Sequence, residues 1–377
     1  MSMLVKVGLL KAYPGPSGYV KSIQQLLKAN TPECYRLLPA YDETVIEQEL
    51  PVHVESELHH EFVDNRTSTS PESWVLEYHY ARVWGNIGTV IAADNRVIAP
   101  VAPEFRSRNF DYQVFQQAYL AKPKRLSGIS VLLCAPAGYV YGHFIMDVLP
   151  RICVLEKAGV DWLSADHILI SGPYRSFQKQ YLDLLGVPAD KIVDCSTLPH
   201  LQLDTLMSPS PATRSGHYPE WLVEELRSKF LGFAKMPKGV GNKLFISRRN
   251  ASIRRIYNEQ AVWAYLEKQG FTRVSNEDYS VVEQIGMFQN AEVMIGPNGS
   301  SMCNLLFSKA DQKVIETFAA SGKRCVNVFQ WAIGNRVPVQ YGYILGEVVE
   351  DSHPVGHNRD YTIDIGKLQR LMKKMGI

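Results

Sequence analysis

Four arginines, Arg248, Arg249, Arg254 and Arg255, crowd the segment that follows the apolar run Leu244-Phe245-Ile246. Guanidinium groups make bidentate, charge-assisted bonds to phosphate, and a flexible loop of them supplies mobile positive charge. Each such bond contributes about 1.5–3 kcal/mol. Two of them, helped by contacts to base and ribose, support roughly millimolar or better nucleotide binding. Further along, Val293-Met294-Ile295 runs into Gly296-Pro297-Asn298-Gly299-Ser300-Ser301. The apolar triplet reads as a buried parallel strand and the next four residues as a tight turn. Ser300 or Ser301 then caps a helix carrying Met302, Leu305 and Leu306. A strand–turn–helix junction of this kind aims backbone N–H groups and the positive end of a helix at one point, which suits a phosphate. A solvated arginine loop and an ordinary βα turn are the plain readings of the same residues. Their shared position, at the carboxyl ends of strands, favours a nucleoside diphosphate site.

His143 and Asp147 form a second candidate pair, in Gly142-His143-Phe144-Ile145-Met146-Asp147-Val148-Leu149-Pro150. Spacing i, i+4 puts both on one helix face, flanked by apolar residues. A dipole partner and a hydrogen-bonded core histidine are the structural readings. The functional one is a general base, Asp147 in that role with His143 beside it and Glu283 in reserve. Glu283 lies at a helix start and Glu316 at a strand end, where a carboxylate could hold ribose hydroxyls. His59-His60 and His353/His357 make no ligand constellation, and no Asp-x-Asp occurs, so no metal site and no cofactor is expected. No GxxxxGK[ST] and no strand-linked GxGxxG is present, which argues against P-loop ATPases and nicotinamide dehydrogenases.

The elements that must position these residues read as alternating strands and helices. Strands are expected at Ile129–Cys134, His167–Ser171, Ile192–Val193 and Thr205–Ser208, with a helix over Gly142–Ala158. From residue 243 the pattern repeats: strand 243–247, helix 258–269, strand 271–274, helix 280–289, strand 292–296, helix 300–307 and strand 313–317. Strands separated by helices of this length imply βαβ units and parallel sheets. Before residue 100, Ser73–Tyr80, Ala81–Trp84 and Thr89–Ala93 read as a β meander. The length of 377 residues suits two cores. The expected division is an N-terminal domain over 1–215, a C-terminal domain carrying the diphosphate site over 216–350, and a tail over 351–377. That tail ends in an amphipathic helix that could pack back on the first domain.

Composition sets bounds on function. Hydrophobic residues are 46% and charged residues 21%, ordinary globular values, and the net charge of +2 gives no basis for nucleic-acid binding. Six scattered cysteines without a CxxC pair read as reduced, buried thiols. The amino-terminal stretch Met1–Gly18 lacks a signal-peptide pattern, and no run approaches the ~20 apolar residues of a membrane span. A cytoplasmic protein, at most peripheral to the inner face of a membrane, is expected.

These segments together resemble glycosyltransferase family 61, which includes capsular-polysaccharide transferases, plant xylan-decorating enzymes and animal O-linked N-acetylglucosaminyltransferases. The matching pieces, in chain order, begin with Gly142–Arg151, then Ile246-Ser247-Arg248 through Arg254-Arg255-Ile256 and Asn258-Glu259. They continue with Glu283-Gln284-Ile285, Ile295-Gly296-Pro297-Asn298-Gly299, Asn304–Phe307 and Val314-Ile315-Glu316. The resemblance implies a GT-B fold of two Rossmann-like, doubly wound α/β domains facing a cleft. It also implies inverting, metal-independent transfer from a nucleoside diphosphate sugar, UDP-sugar favoured, to a saccharide or glycolipid acceptor. Ser247, Arg248, Arg254, Arg255, Asn258, Gly296, Asn298, Gly299, Ser300, Ser301 and Glu316 would bind the donor. One departure stands out: Gly-Pro-Asn-Gly-Ser-Ser replaces the usual Gly-Pro-His-Gly-Ala-Gly, and Asn298 can neither carry charge nor shuttle a proton. An inactive nucleotide- or glycan-binding module and a nucleotide-sugar epimerase are the alternative readings.

Overall fold

A computed structural model describes residues 13–29, 34–101, 112–323 and 325–377. Residues 1–12 of the amino-terminal stretch and the side chain of His357 lie outside it. The chain divides into two compact units. One combines the residues up to Glu43 with Pro71–Thr213, and the other combines Thr44–Ser70 with Arg214–Ile377.

The first unit is built on a ten-stranded sheet. Its strands are β1 (Gly18–Val20), β2 (Tyr35–Tyr41), β3 (Ser73–His79), β4 (Arg82–Trp84), β5 (Thr89–Ile91), β6 (Arg96–Ile98), β7 (Lys124–Leu132), β8 (His167–Ile170), β9 (Ile192–Asp194) and β10 (His200–Pro209). They run in the order β9-β8-β7-β10-β4-β5-β6-β1, with β3 joined to β10 and β2 to β3. Strands β7 to β10 are parallel neighbours, as the βαβ pattern requires. The expected meander joins the same sheet as the Rossmann-like strands, because β10 also pairs antiparallel with β3 and β4. Strand β10 is long enough to bond on both edges: β7 on one side, the meander on the other. The fold is α/β with mixed sheets.

The expected helix over Gly142–Ala158 is present in three pieces: an α turn at Tyr141–His143, a π-helical turn at Phe144–Val148, and α1 at Leu149–Lys157. Pro150 explains the break. It has no N–H to offer the carbonyl four residues back, so the ladder widens just before it.

The second unit has a seven-stranded sheet. Strands β11 (Lys243–Ile246), β12 (Thr272–Val274), β13 (Val293–Pro297), β14 (Lys313–Ala319) and β15 (Gln340–Val348) are parallel, in the order β12-β11-β13-β14-β15. Beyond β15 lie β16 (Tyr361–Thr362), antiparallel, and Val52–His53, parallel. The crossovers carry α2 (Glu259–Glu267), α3 (Val281–Asn290), a 3-10 helix at Ser300–Phe307 and α4 (Phe329–Arg336).

Two segments sit elsewhere than the sequence pattern suggests. Residues 44–70, expected in the N-terminal domain, belong to the second unit. Phe62 packs against Trp331 and Tyr343 at ring separations of 5.2 and 4.7 Å, and the Trp331 indole N–H donates to the Glu49 carbonyl at 2.8 Å. The terminal helix α5 (Ile365–Lys374) likewise stays with the second unit rather than crossing to the first. Its Leu368, Leu371 and Met372 join Phe245, Ile295 and Ile315 in one core. Asp364 caps it, accepting from the Lys367 amide at 3.2 Å. Among the described residues no helix is long and apolar enough to cross a membrane.

Leu371 is fully buried in that core. Leu371→Ala is expected to destabilise the second unit by about 2–5 kcal/mol. The readout is a lower urea midpoint and faster amide exchange in β11–β15, with β7–β10 keeping their protection.

Candidate functional site

In the second sheet the chain turns from β11 to β12 on one side and then returns to β13 on the other. This reversal opens a crevice beyond the carboxyl ends of β11 and β13, where open parallel sheets bind ligands. The loop leaving β11 carries the arginines, and the turn leaving β13 is Gly296–Ser301.

Arg248 and Arg254 are brought together there. The Arg248 guanidinium donates to the Ile253 carbonyl at 3.2 Å and lies so close to Gly299 that a Cβ would overlap it. Burial, and then the like charge of Arg254, pull its pKa down to about 10. Arg254 adopts the left-handed backbone, φ 56°, a strained state for a side chain with a Cβ. Its amide donates to the Asn358 carbonyl at 3.0 Å, and its guanidinium donates to Asn298 Oδ1 at 2.8 Å. Burial lowers its pKa also. The Nε of each arginine is buried without a hydrogen-bond partner among the described residues. Two partly desolvated cations that repel one another favour an anion between them.

The turn differs from the expected capped α-helix. Gly299, in extended conformation, takes the N-cap position with no side-chain bond, and a 3-10 helix follows. Asn304 donates to the Ser301 carbonyl three residues back, at 3.1 Å, and to Gln284 Oε1 at 3.0 Å. Side-chain competition of that kind favours the tighter winding. The opening N–H groups of the 3-10 helix lack intrahelical partners, as at any helix start.

Several residues expected at the donor have partners elsewhere in the protein. Arg255 forms a two-pronged ion pair with the buried Asp360, at 2.9 and 2.7 Å. Asn258 clamps Ile363 through both its amide N–H and its oxygen, each at 2.9 Å. The Ser247 hydroxyl donates to Glu259 at 2.7 Å. Gly296 lets two strands approach, since a Cβ would lie 2.7 Å from that of Ile246. Glu283, the reserve base, closes a capping box by accepting from the Ser280 amide at 2.9 Å and from its hydroxyl at 2.6 Å, and those bonds lower its pKa.

Glu316 is not a surface acid at a strand end. It is fully buried within β14, opposite Gly296 in register. Its carboxylate accepts from Asn298 Nδ2 at 2.8 Å and from the Tyr341 hydroxyl. Burial pushes its pKa up to about 7, against the opposing pull of those bonds and of Arg254. Nothing local in the sequence marks Tyr341, Gln330 or Asp360 as neighbours of this site. They are distant in the chain: pairing of β14 with β15 brings in Tyr341, pairing of β15 with β16 brings in Asp360, and the crossover helix α4 brings in Gln330.

The first unit has its own switch point. Its parallel strands lie in the order β9-β8-β7-β10, so the crevice falls beyond the ends of β7 and β10. The segment leaving β7 leads into His143, whose Nδ1 meets Asp147 Oδ2, in the π turn that follows, at 2.6 Å. Four residues on, Arg151 is fully buried, with its guanidinium donating to the carbonyls of Pro209 at 3.0 Å and Val101 at 3.4 Å. Burial draws its pKa down to about 10, against the attraction of Cys134 and Asp147. Its place in Pro150-Arg151, one helical turn past Asp147, was the available sign of it. The six cysteines are free thiols, with Cys134 and Cys195 Sγ atoms 3.6 Å apart. A cavity of about 620 Å³ in the second unit, lined by Lys243, Glu292 and Lys313, lies at the amino ends of the strands and touches none of the donor candidates.

The raised pKa of Glu316 has a thermodynamic consequence. The folded protein keeps a proton that the unfolded chain releases between pH 4.5 and about 7, so this group's contribution to stability falls as pH rises through that window. Glu316→Gln removes the slope. Relative to wild type the variant is expected to gain up to about 3 kcal/mol between about pH 5 and about pH 8, checked by urea unfolding at both.

Residues 141–315 match the model of the family described as Glycosyltransferase 61. No curated protein matches the chain. The matched stretch contains the helix of His143 and Asp147, the arginine loop and the Gly296–Ser301 turn. Over residues 141–315 the chain is thus similar to glycosyltransferase family 61, a likeness that suggests a glycosyltransferase with a donor and an acceptor substrate.

Proposed function

We propose that the protein is an inverting, metal-independent glycosyltransferase that moves a sugar from a nucleoside diphosphate, UDP favoured, to a saccharide or glycolipid hydroxyl. A role in capsular or other cell-surface polysaccharide synthesis and a cytoplasmic location, at most peripheral to the membrane, belong to the same reading. So does the two-lobed GT-B arrangement, supported by a switch point in each unit's parallel strands. One observation carries the donor site: Arg248 and Arg254, desolvated and mutually repelling, with orphaned Nε atoms, at the switch point of the second sheet. A diphosphate relieves that repulsion and accepts the unmet donors.

The chemistry follows from charge. The acceptor oxygen attacks the anomeric carbon from the face opposite the diphosphate, and the sugar–oxygen bond to phosphate breaks. The leaving diphosphate takes the electron pair, and the two guanidiniums stabilise its developing charge. The acceptor proton must go to a base. Here the roles of the sequence-predicted pair are exchanged. Asp147 accepts from His143 Nδ1, which fixes the tautomer with Nε2 as the lone-pair nitrogen, so His143 takes the proton and Asp147 orients it. Arg151 places a buried positive charge beside that carboxylate.

Calorimetric titration of UDP, GDP, CDP, CMP and ADP tests the donor site. One nucleoside diphosphate is expected to bind in the micromolar range, and Arg254→Ala to lose it. Absence of binding by all five would remove the diphosphate reading. His143→Ala and Asp147→Asn are expected to lower kcat by roughly 10²–10⁴-fold with diphosphate affinity unchanged. Comparable loss of affinity in either variant would argue against their assignment to proton transfer. Donor turnover without an acceptor would favour the epimerase alternative.

A further inference from the structure

Asn298 stands in the donor turn, yet its side chain is 5% exposed and fully engaged within the protein. Its Nδ2 donates both to Glu316 at 2.8 Å and to Gln330 Oε1 at 3.1 Å. Its Oδ1 accepts from Arg254 at 2.8 Å, and its backbone amide donates to the Thr317 carbonyl at 2.9 Å. A phosphate only accepts, and both N–H groups of this amide already point into the core.

We infer that Asn298 is a positioning residue, a neutral bridge that ties the Arg254 guanidinium to the buried carboxylate of Glu316, and not a contact to the donor. The inference rests on the diphosphate reading of this site for its functional consequence. An amide suits the bridge because it accepts from a cation and donates to a carboxylate without adding charge of its own. Gln330 extends the bridge: its Nε2 donates to the Gly299 carbonyl at 3.3 Å. Asn298 and Gln330 together therefore couple Arg254 to the turn residue against which Arg248 packs. The groups around Glu316 are Tyr341 from β15, Tyr361 from β16, Asn298 from the turn and Arg254 from the arginine loop. Arg254 is the cation that the bridge reaches, and its left-handed backbone needs such a hold.

The test has a ligand-free arm and a ligand arm. In urea unfolding, Asn298→Leu and Arg254→Met should be non-additive, the double variant shifting the midpoint less than the sum of the single shifts. Additive shifts would overturn the bridge, whether or not any nucleotide binds. In calorimetry with UDP, Asn298→Leu should weaken binding by about tenfold, the loss of one well-placed charge-assisted contact. Asn298→His, whose ring offers one donor and one acceptor, should recover affinity to within about threefold of wild type. Unchanged affinity in Asn298→Leu, with Arg254→Ala losing UDP, would leave the diphosphate site standing and overturn the positioning role. Retention of UDP by Arg254→Ala would instead count against the diphosphate reading itself.

Discussion

Reversal of strand order is the constraint on which both units depend. A parallel sheet grows outward from its first strand, and every crossover helix must pack back on a face of it. When the next strand is added on the other side of the first, two loops diverge and a crevice opens at the carboxyl ends. In the second unit that happens between β11 and β13, in the first between β7 and β10. The chemistry-bearing segments leave those strands. Their positions follow from topology before any side-chain contact is considered.

Within the second crevice the main difficulty is charge. Two guanidiniums and a carboxylate are withdrawn from water in a small volume, and desolvation acts against the ionised form of each. The observed solution is a hydrogen-bonded relay of neutral groups, Asn298, Gln330 and Tyr341, between the arginine loop and Glu316. Polar groups in a low-dielectric site are costly when unmatched and rigidifying when matched. The arginine Nε atoms are the places where this matching stops.

In the first unit the same logic is served by a backbone irregularity. Pro150 removes one ladder hydrogen bond, a π turn absorbs the change, and His143 meets Asp147 across it. Arg151, one turn further on, buries a positive charge whose hydrogen bonds reach the end of β10. Helix, strand end and dyad are thereby held as one piece.

Much of this was legible from residue order. The strands at 243–246, 272–274, 293–297 and 313–319, the pairing of His143 with Asp147, and the convergence of Arg248 with the Gly296–Ser301 turn follow from local periodicity and from the rule for ligand crevices. Apolar runs, helix spacing and turn residues act over a few positions, so they survive in the sequence. Other features depended on the tertiary structure. Residues 44–70 and the terminal helix were assigned to the second unit by edge pairing with β15 and by a shared core, interactions that no local pattern encodes. Arg254 and Arg255, adjacent and chemically alike, were given opposite tasks by a left-handed backbone at the first and by Asp360 at the second. The sequence by itself determined which chemical groups the protein carries and near which strand ends they lie. The tertiary structure alone decided which of them meet a partner inside the fold, because hydrogen bonds and ion pairs between distant residues form only once the sheets have set their register.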